Sequence, residues 1–336
     1  MTNSEAYFPP LDKLKILITG GFGFIGSNLA HACLQANAEV TIYDCLDPNS
    51  GGNLFNVAAI RDSVEIIRSD ILNFNDICRA IVDKDVIFNC AASTSHPFSM
   101  REPWINTDVN SKGVINLLEA VRRFNRNVKL VHLGTTTQLG PLHYKPADEK
   151  HPEFPTDMYS ASKSVSEKYV LIYGRAYGIP VTVVRLPNVF GPRAAIHSSE
   201  FTFNNFFVGM ALQGREILVF GTGEQLRNVL FVDDAVSALM MASQADATNG
   251  EVFFAVGNEH YSVARIAEET VRHIGSGGVR YVPWPHERKV MEMGDAVFSN
   301  RKFKEAVSWF PRTSLERGLS LTGEFYRSHA GEYLRS

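Results

Sequence analysis

Tyr159 and Lys163 stand four residues apart in Tyr159-Ser160-Ala161-Ser162-Lys163. On a helix they would share one face, a turn apart. An ammonium near a phenol favours the phenolate, which predicts that Tyr159 works as a base near neutral pH. Thr135, at the predicted end of a strand, can share that proton through its hydroxyl. Such pairs also occur by chance on solvated helix faces, so their meaning depends on the elements that position them.

Those elements begin at residues 15–26, KILITGGFGFIG. Three consecutive apolar residues, Ile16, Leu17 and Ile18, suit a strand buried on both faces of a parallel sheet. Gly20, Gly21, Gly23 and Gly26 follow, and an apolar, helix-like run opens at Ile25. The order strand, glycine turn, helix gives GxGxxG its meaning. Gly21 and Gly23 are expected to make the tight turn and Gly26 the close helix–strand contact. The N–H groups at Phe24, Ile25 and Gly26 would then face a pyrophosphate. The next strand, 39–43, ends in Asp44, whose carboxylate can accept from both hydroxyls of an adenosine ribose and would repel a 2′-phosphate. Residues 45–56 contain no Lys or Arg to offset that repulsion. NAD is therefore expected rather than NADP.

The totals exclude several other classes. Of 336 residues, 45% are hydrophobic and 21% charged, which fits a globular protein with a substantial core. The net charge of −3 gives no basic field for nucleic acid or a membrane surface. No apolar run is long enough to span a membrane, and residues 1–14 lack the pattern of a signal peptide. Cys33, Cys45, Cys78 and Cys90 show no CxxC spacing and read as thiols of a reducing cytoplasm. The ten histidines have no ligand spacing, so no metal is expected.

Strands and helices alternate through the first half, which implies a doubly wound α/β sheet of the Rossmann type. Further strands are expected at 64–68, 85–90, 128–133 and 181–186, with long helices at 103–125 and 158–178. Asp70 follows one strand, where it can reach an adenine amino group or cap a helix. Ala91 and Ala92 follow another and suit close approach of a cofactor or simple packing. The expected division is an N-terminal extension (1–14), an NAD-binding domain (15–187) and a smaller mixed α/β substrate lobe (188–336), with segments free to cross back.

Taken in concert, these motifs resemble the extended short-chain dehydrogenase/reductase family, the nucleotide-sugar epimerases and dehydratases. The resemblance runs from Lys15 to about Arg327. It is carried by Gly20-x-x-Gly23-x-x-Gly26, Asp44, Asp70, Ala91-Ala92, Asn110, Thr135, Tyr159/Lys163, the run from Arg185 to Arg193 around Asn188, Phe220-Gly221-x-Gly223-x-x-x-Arg227 and Phe231-Val232-Asp233-Asp234. It implies catalytic roles for Thr135, Tyr159 and Lys163. A cofactor site would add Ile71 and Asn110 to the residues above, and Ser93 and Thr136 would line the sugar. It also implies that Asn188 and Arg227 hold a diphosphate, that Phe220 lies against the base, and that Arg288 is a second diphosphate arginine. Arg193 either reads the sugar or closes the turn at Gly191-Pro192.

The positions after Thr135 bear on the reaction. In this family dehydratases carry Asp-Glu there, decarboxylases keep the Glu, and enzymes inverting C3 or C5 carry Cys. Thr136 and Thr137 are poor bases for a carbon-bound proton. The resemblance therefore implies an NAD-dependent 4-epimerase on a UDP-sugar, with a 4-keto reductase or atypical dehydratase as the alternative. A non-catalytic NAD-binding regulator would not need the Thr/Tyr/Lys set. A homodimer paired through the helices at 103–125 and 158–178 is implied as well. The loop Ser93-Thr94-Ser95-His96 matches no subtype.

Overall fold

A computed structural model describes residues 8–285, 289 and 292–334. Its centre is a seven-stranded, wholly parallel sheet in the order β10-β6-β5-β4-β1-β2-β3. The strands are β1 (Lys15–Thr19), β2 (Glu39–Asp44), β3 (Glu65–Arg68), β4 (Val86–Asn89), β5 (Lys129–Thr135), β6 (Val181–Leu186) and β10 (Glu251–Phe254). Successive side chains of β1 point to opposite faces, and both faces are covered. Ile16 and Ile18 join one apolar cluster and Leu17 another. That is why the run reads as apolar without alternation.

Helix α1 (Phe24–Gln35) follows β1 directly. The tight turn before it falls on Gly20, at φ +71°, rather than on Gly21 or Gly23 as the sequence suggested. A Cβ on Gly20 would lie 2.7 Å from the nitrogen of Ala91, and one on Gly26 would lie 2.2 Å from the carbonyl oxygen of Gly20. Only glycine lets the two turns and the helix start crowd together so closely.

The helix expected at 103–125 is divided. It comprises α4 (Pro103–Thr107), one wide turn of π-helix (Asp108–Lys112) and α5 (Gly113–Phe124). The π turn adds a residue that brings Asn110 against the chain after β4. A short helix that pattern alone did not suggest, α3 (His96–Arg101), precedes it, capped by Ser95, whose Oγ accepts from the Phe98 N–H at 3.0 Å. Helix α6 (Met158–Tyr177) starts on Asp157 and stops at Gly178 in the left-handed conformation.

Beyond β6 the chain alternates between lobe and sheet. Strands β7 (Asn188–Phe190), β9 (Leu226–Phe231) and β11 (His260–Ser262) form one small sheet, and β8 (Glu216–Phe220) pairs with β12 (Gly278–Val282). Helix α8 (Val232–Gln244) packs against α1, β5 and β6, and β10 then extends the central sheet beside β6. Residues 232–254 therefore belong with the first half in space.

Candidate active site

The sheet order reverses between β1 and β4, and a cleft opens where their carboxyl ends diverge. Gly20, Gly23, Phe24, Ile25, Gly26, Asp44, Asp70, Ile71, Ala91, Ala92 and Ser93 line it, as do Thr135, Tyr159, Lys163 and Asn188. Strand ends supply most of them, so residues scattered over more than 150 positions converge on one edge.

At one end, α1 begins on Gly23 with no side chain capping it and no acid in its first turn. Its leading N–H groups point into the cleft, as an anion requires. Asp44 is steered by two backbone donors, Phe22 N–H at 2.9 Å to Oδ2 and Leu46 N–H at 2.7 Å to Oδ1. Burial raises its pKa, and these hydrogen bonds oppose that. Asp70 lines the cleft, and its Oδ1 also accepts from Leu72 N–H at 2.8 Å, so it closes its own turn as well. The uncapped helix start and an oriented acid at the end of β2 are what an adenosine diphosphate moiety needs, and the residues present fit NAD.

At the other end lie Thr135, Tyr159 and Lys163. Burial pushes the Tyr159 phenol up to about 12; the charge of Asp157 adds to this, and a hydrogen bond with Thr135 opposes it. The expected lowering by Lys163 is therefore not what this geometry produces. Lys163 is itself pushed down to about 8, chiefly by burial. Thr137 rather than Thr136 faces the cleft, with Thr135 Oγ1 and Thr137 Oγ1 3.0 Å apart.

His96, which no motif singles out, is brought here by the fold. Its ring meets that of Tyr159 edge-on at 4.7 Å, and its Nδ1 lies 2.7 Å from Asp157 Oδ2. Asp157 also caps α6, accepting from Ser160 N–H at 2.8 Å. An Asp preceding a helix by one residue signals a cap. No sequence spacing relates it to a histidine 61 residues earlier.

Several other expected residues stand back from the cleft. Asn110 is buried and spent on Ser93, donating to its carbonyl at 3.0 Å and accepting from its N–H at 2.8 Å. It shapes the wall. Thr136 is buried behind the cleft. Arg193 donates to Asn28 Oδ1 at 2.8 Å and stacks over Phe325. Arg227 is paired with Glu292 at 2.6 Å and donates to Gly294 O at 2.7 Å, while Phe220 packs on Trp284. Arg288 lies outside the described residues.

Comparison with known proteins agrees with this architecture. Residues 16–264 match the model of the NAD dependent epimerase/dehydratase family. A putative UDP-glucose 4-epimerase of Methanocaldococcus jannaschii is 29% identical over 90% of this chain and 95% of its own length. A dTDP-glucose 4,6-dehydratase of Streptomyces niveus is 28% identical over 94% of each chain. Among solved structures, the UDP-glucose 4-epimerase of Thermotoga maritima with UDP-glucose superposes with a TM-score of 0.84 at 28% identity. That match covers 94% of this chain and all of the other. The protein thus belongs to the NAD-dependent epimerase/dehydratase family, and NAD is its cofactor.

Proposed function

We propose that the protein is a nucleotide-sugar 4-epimerase acting on a UDP-sugar. The observation that carries this reading is the Thr135–Tyr159 pair on the cleft, followed by Thr136 and Thr137 where a lyase of this family would place carboxylates. NAD supplies a hydride acceptor and, in its oxidised form, a positive ring that favours a nearby phenolate. Tyr159 then takes the proton of the sugar O4 hydroxyl, Thr135 Oγ1 holds the phenolic oxygen in line, and Lys163 faces the cofactor ribose. Ser93 and Asn188 border the space for the sugar and its diphosphate. The Thermotoga maritima structure, with UDP-glucose, supports the choice of nucleotide.

His96, oriented by Asp157, favours one second reading. An imidazole held by a carboxylate is a competent base, and it would let a dehydratase work without acids after Thr135. Incubating the protein with NAD and a panel of UDP-hexoses, with products resolved by NMR, separates the two. Interconversion of C4 epimers is expected, and a product lighter by one water would overturn the assignment.

We also propose a homodimer. Trp104 is 80% exposed and Ile172 57%, with Ile105, Phe124, Val165 and Tyr177 exposed on the same helices. Apolar surface of this kind on α4, α5 and α6 suits isologous helix pairing. Light scattering at micromolar concentration should give twice the chain mass. Among the described residues no helix is long and apolar enough to cross a membrane, and the four cysteines are free thiols. The free thiols suit the reducing cytoplasm that we propose as its place.

A further inference from the structure

Directly behind Lys163 a line of buried polar groups crosses three strands. Thr19 Oγ1 donates to Asn89 Oδ1 at 2.7 Å and accepts from Ala91 N–H at 3.3 Å. Asn89 Nδ2 lies 2.9 Å from His132 Nδ1. His132 Nε2 lies 3.4 Å from Ser166 Oγ and 3.4 Å from Lys163 Nζ. Thr19, Asn89, His132 and Ser166 are all within 1% of complete burial.

Hydrogen-bond accounting determines where the imidazole carries its proton. Thr19 has one hydroxyl hydrogen, and it goes to Asn89 Oδ1. The amide NH2 of Asn89 is therefore the group that faces His132, so Nδ1 must be an acceptor. From the other side, Ser166 gives its hydroxyl hydrogen to Lys163 O at 3.0 Å and offers the ring a lone pair. With the Asn89 amide oriented so, the ring carries its hydrogen on Nε2, where Ser166 Oγ can accept it. Burial keeps the ring neutral, holding its pKa well below the usual histidine range, with the charge of Lys163 acting the same way.

A ring N–H consequently faces the Lys163 ammonium. It cannot accept a hydrogen bond, and its edge is electropositive. Among the described residues no other acceptor lies within hydrogen-bonding reach of Nζ. The remaining charged or titratable groups around it do not serve. Cys90, from the end of β4, is kept protonated by burial. Glu167, on α6, is taken up by Arg185 at 2.6 Å, and Tyr159 bonds Thr135.

We infer that His132 is a positioning residue that denies Lys163 an internal partner, so that the ammonium's hydrogens are reserved for hydroxyl oxygens of a cofactor ribose in the cleft. The inference rests on Lys163 facing the cofactor. Its charge is buried without a bond until a polyol arrives, which makes the site selective for a ligand with adjacent hydroxyl acceptors.

Nitrogen-15 NMR of the full chain, labelled at histidine, reads the tautomer directly. A neutral His132 with hydrogen on Nε2 is expected at pH 7. Hydrogen on Nδ1, or an imidazolium, would overturn the inference. His132→Leu removes the N–H, and the titration midpoint of Lys163, followed through its labelled Cε, should rise by at least about half a pH unit, threefold in proton affinity. An unchanged or lower midpoint in a folded variant would also overturn it. If the variant does not fold, the tautomer measurement decides alone. Addition of NAD should move the Lys163 Cε resonance; failure to do so would break the cofactor reading and leave the tautomer result standing.

Discussion

Lys163 and Arg227 are both cations that the sequence motifs single out, and their surroundings differ sharply. Lys163 stands at the carboxyl edge of the parallel sheet, opens on the cleft and, among the described residues, has only His132 Nε2 within hydrogen-bonding reach, at 3.4 Å. Arg227, in the lobe, is bound to Glu292 and to two carbonyl oxygens, those of Leu226 and Gly294. Arg193 is likewise engaged, with Asn28 and Phe325. Groups left unpaired along the sheet edge are costly to the fold and ready for a ligand. Cations of the lobe are satisfied by their own chain, and a ligand must compete for them. The first region is preorganised for chemistry; the second would be recruited.

The comparison can be broken most forcefully at Tyr159. Tyr159→Phe keeps the ring and loses the proton, so turnover should fall by at least about 10²-fold with NAD binding intact. Steady-state rates beside calorimetric NAD affinity would check this, and near-normal kcat would move the base elsewhere, His96 first.

A smaller effect is expected at the other end of the cleft. Asp44→Ala removes a carboxylate that two backbone N–H groups orient. NAD affinity should fall about tenfold, the scale of one charge-assisted hydrogen bond, and the gap to NADP should narrow. Tighter NADP than NAD binding by the unaltered protein would contradict the reading of this strand end.

Arg227→Gln tests recruitment in the lobe. If the arginine leaves Glu292 to meet a diphosphate, KM for the nucleotide sugar should rise several-fold while kcat holds, the kinetic sign of lost uniform binding. An unchanged KM would make the Arg227–Glu292 pair purely structural.

The finest test expects no effect. If hydrogen leaves C4 as hydride and returns, product formed in deuterium oxide should carry no deuterium on ring carbons. A one-unit mass gain, abolished by His96→Ala, would transfer the reaction to the second reading and make His96 a carbon base.

The glycine turn, Asp44, Thr135 and the Tyr159/Lys163 pair were legible because each follows from a local rule. A strand must end, a tight turn needs glycine, and residues four apart share a helix face. Positions at the ends of parallel strands converge whatever fills the loops, so the cleft followed from the order of elements alone. Other features depend on partners far away in the chain. Gly20 takes φ +71° at a place where the start of Ala91 leaves no room for a Cβ, a contact between two strand ends. Asn110 became a wall residue once a π turn swung it onto Ser93. Asp157 caps α6 through one oxygen, and its second oxygen reaches His96 across 61 residues.

The amino-acid sequence by itself determined the parallel sheet, the glycine turn and the Thr135, Tyr159 and Lys163 lining of the cleft, since these depend on periodicity and on spacings within one strand–helix unit. Only the tertiary structure decided which polar groups are consumed by the protein and which are left for a ligand. Whether a carboxylate stands near enough to pair with Arg227, or an imidazole presents its N–H rather than its lone pair to Lys163, is set by distances of 2.6 to 3.4 Å between segments remote in sequence. Electrostatic pairing acts over such distances, and chain order does not encode them.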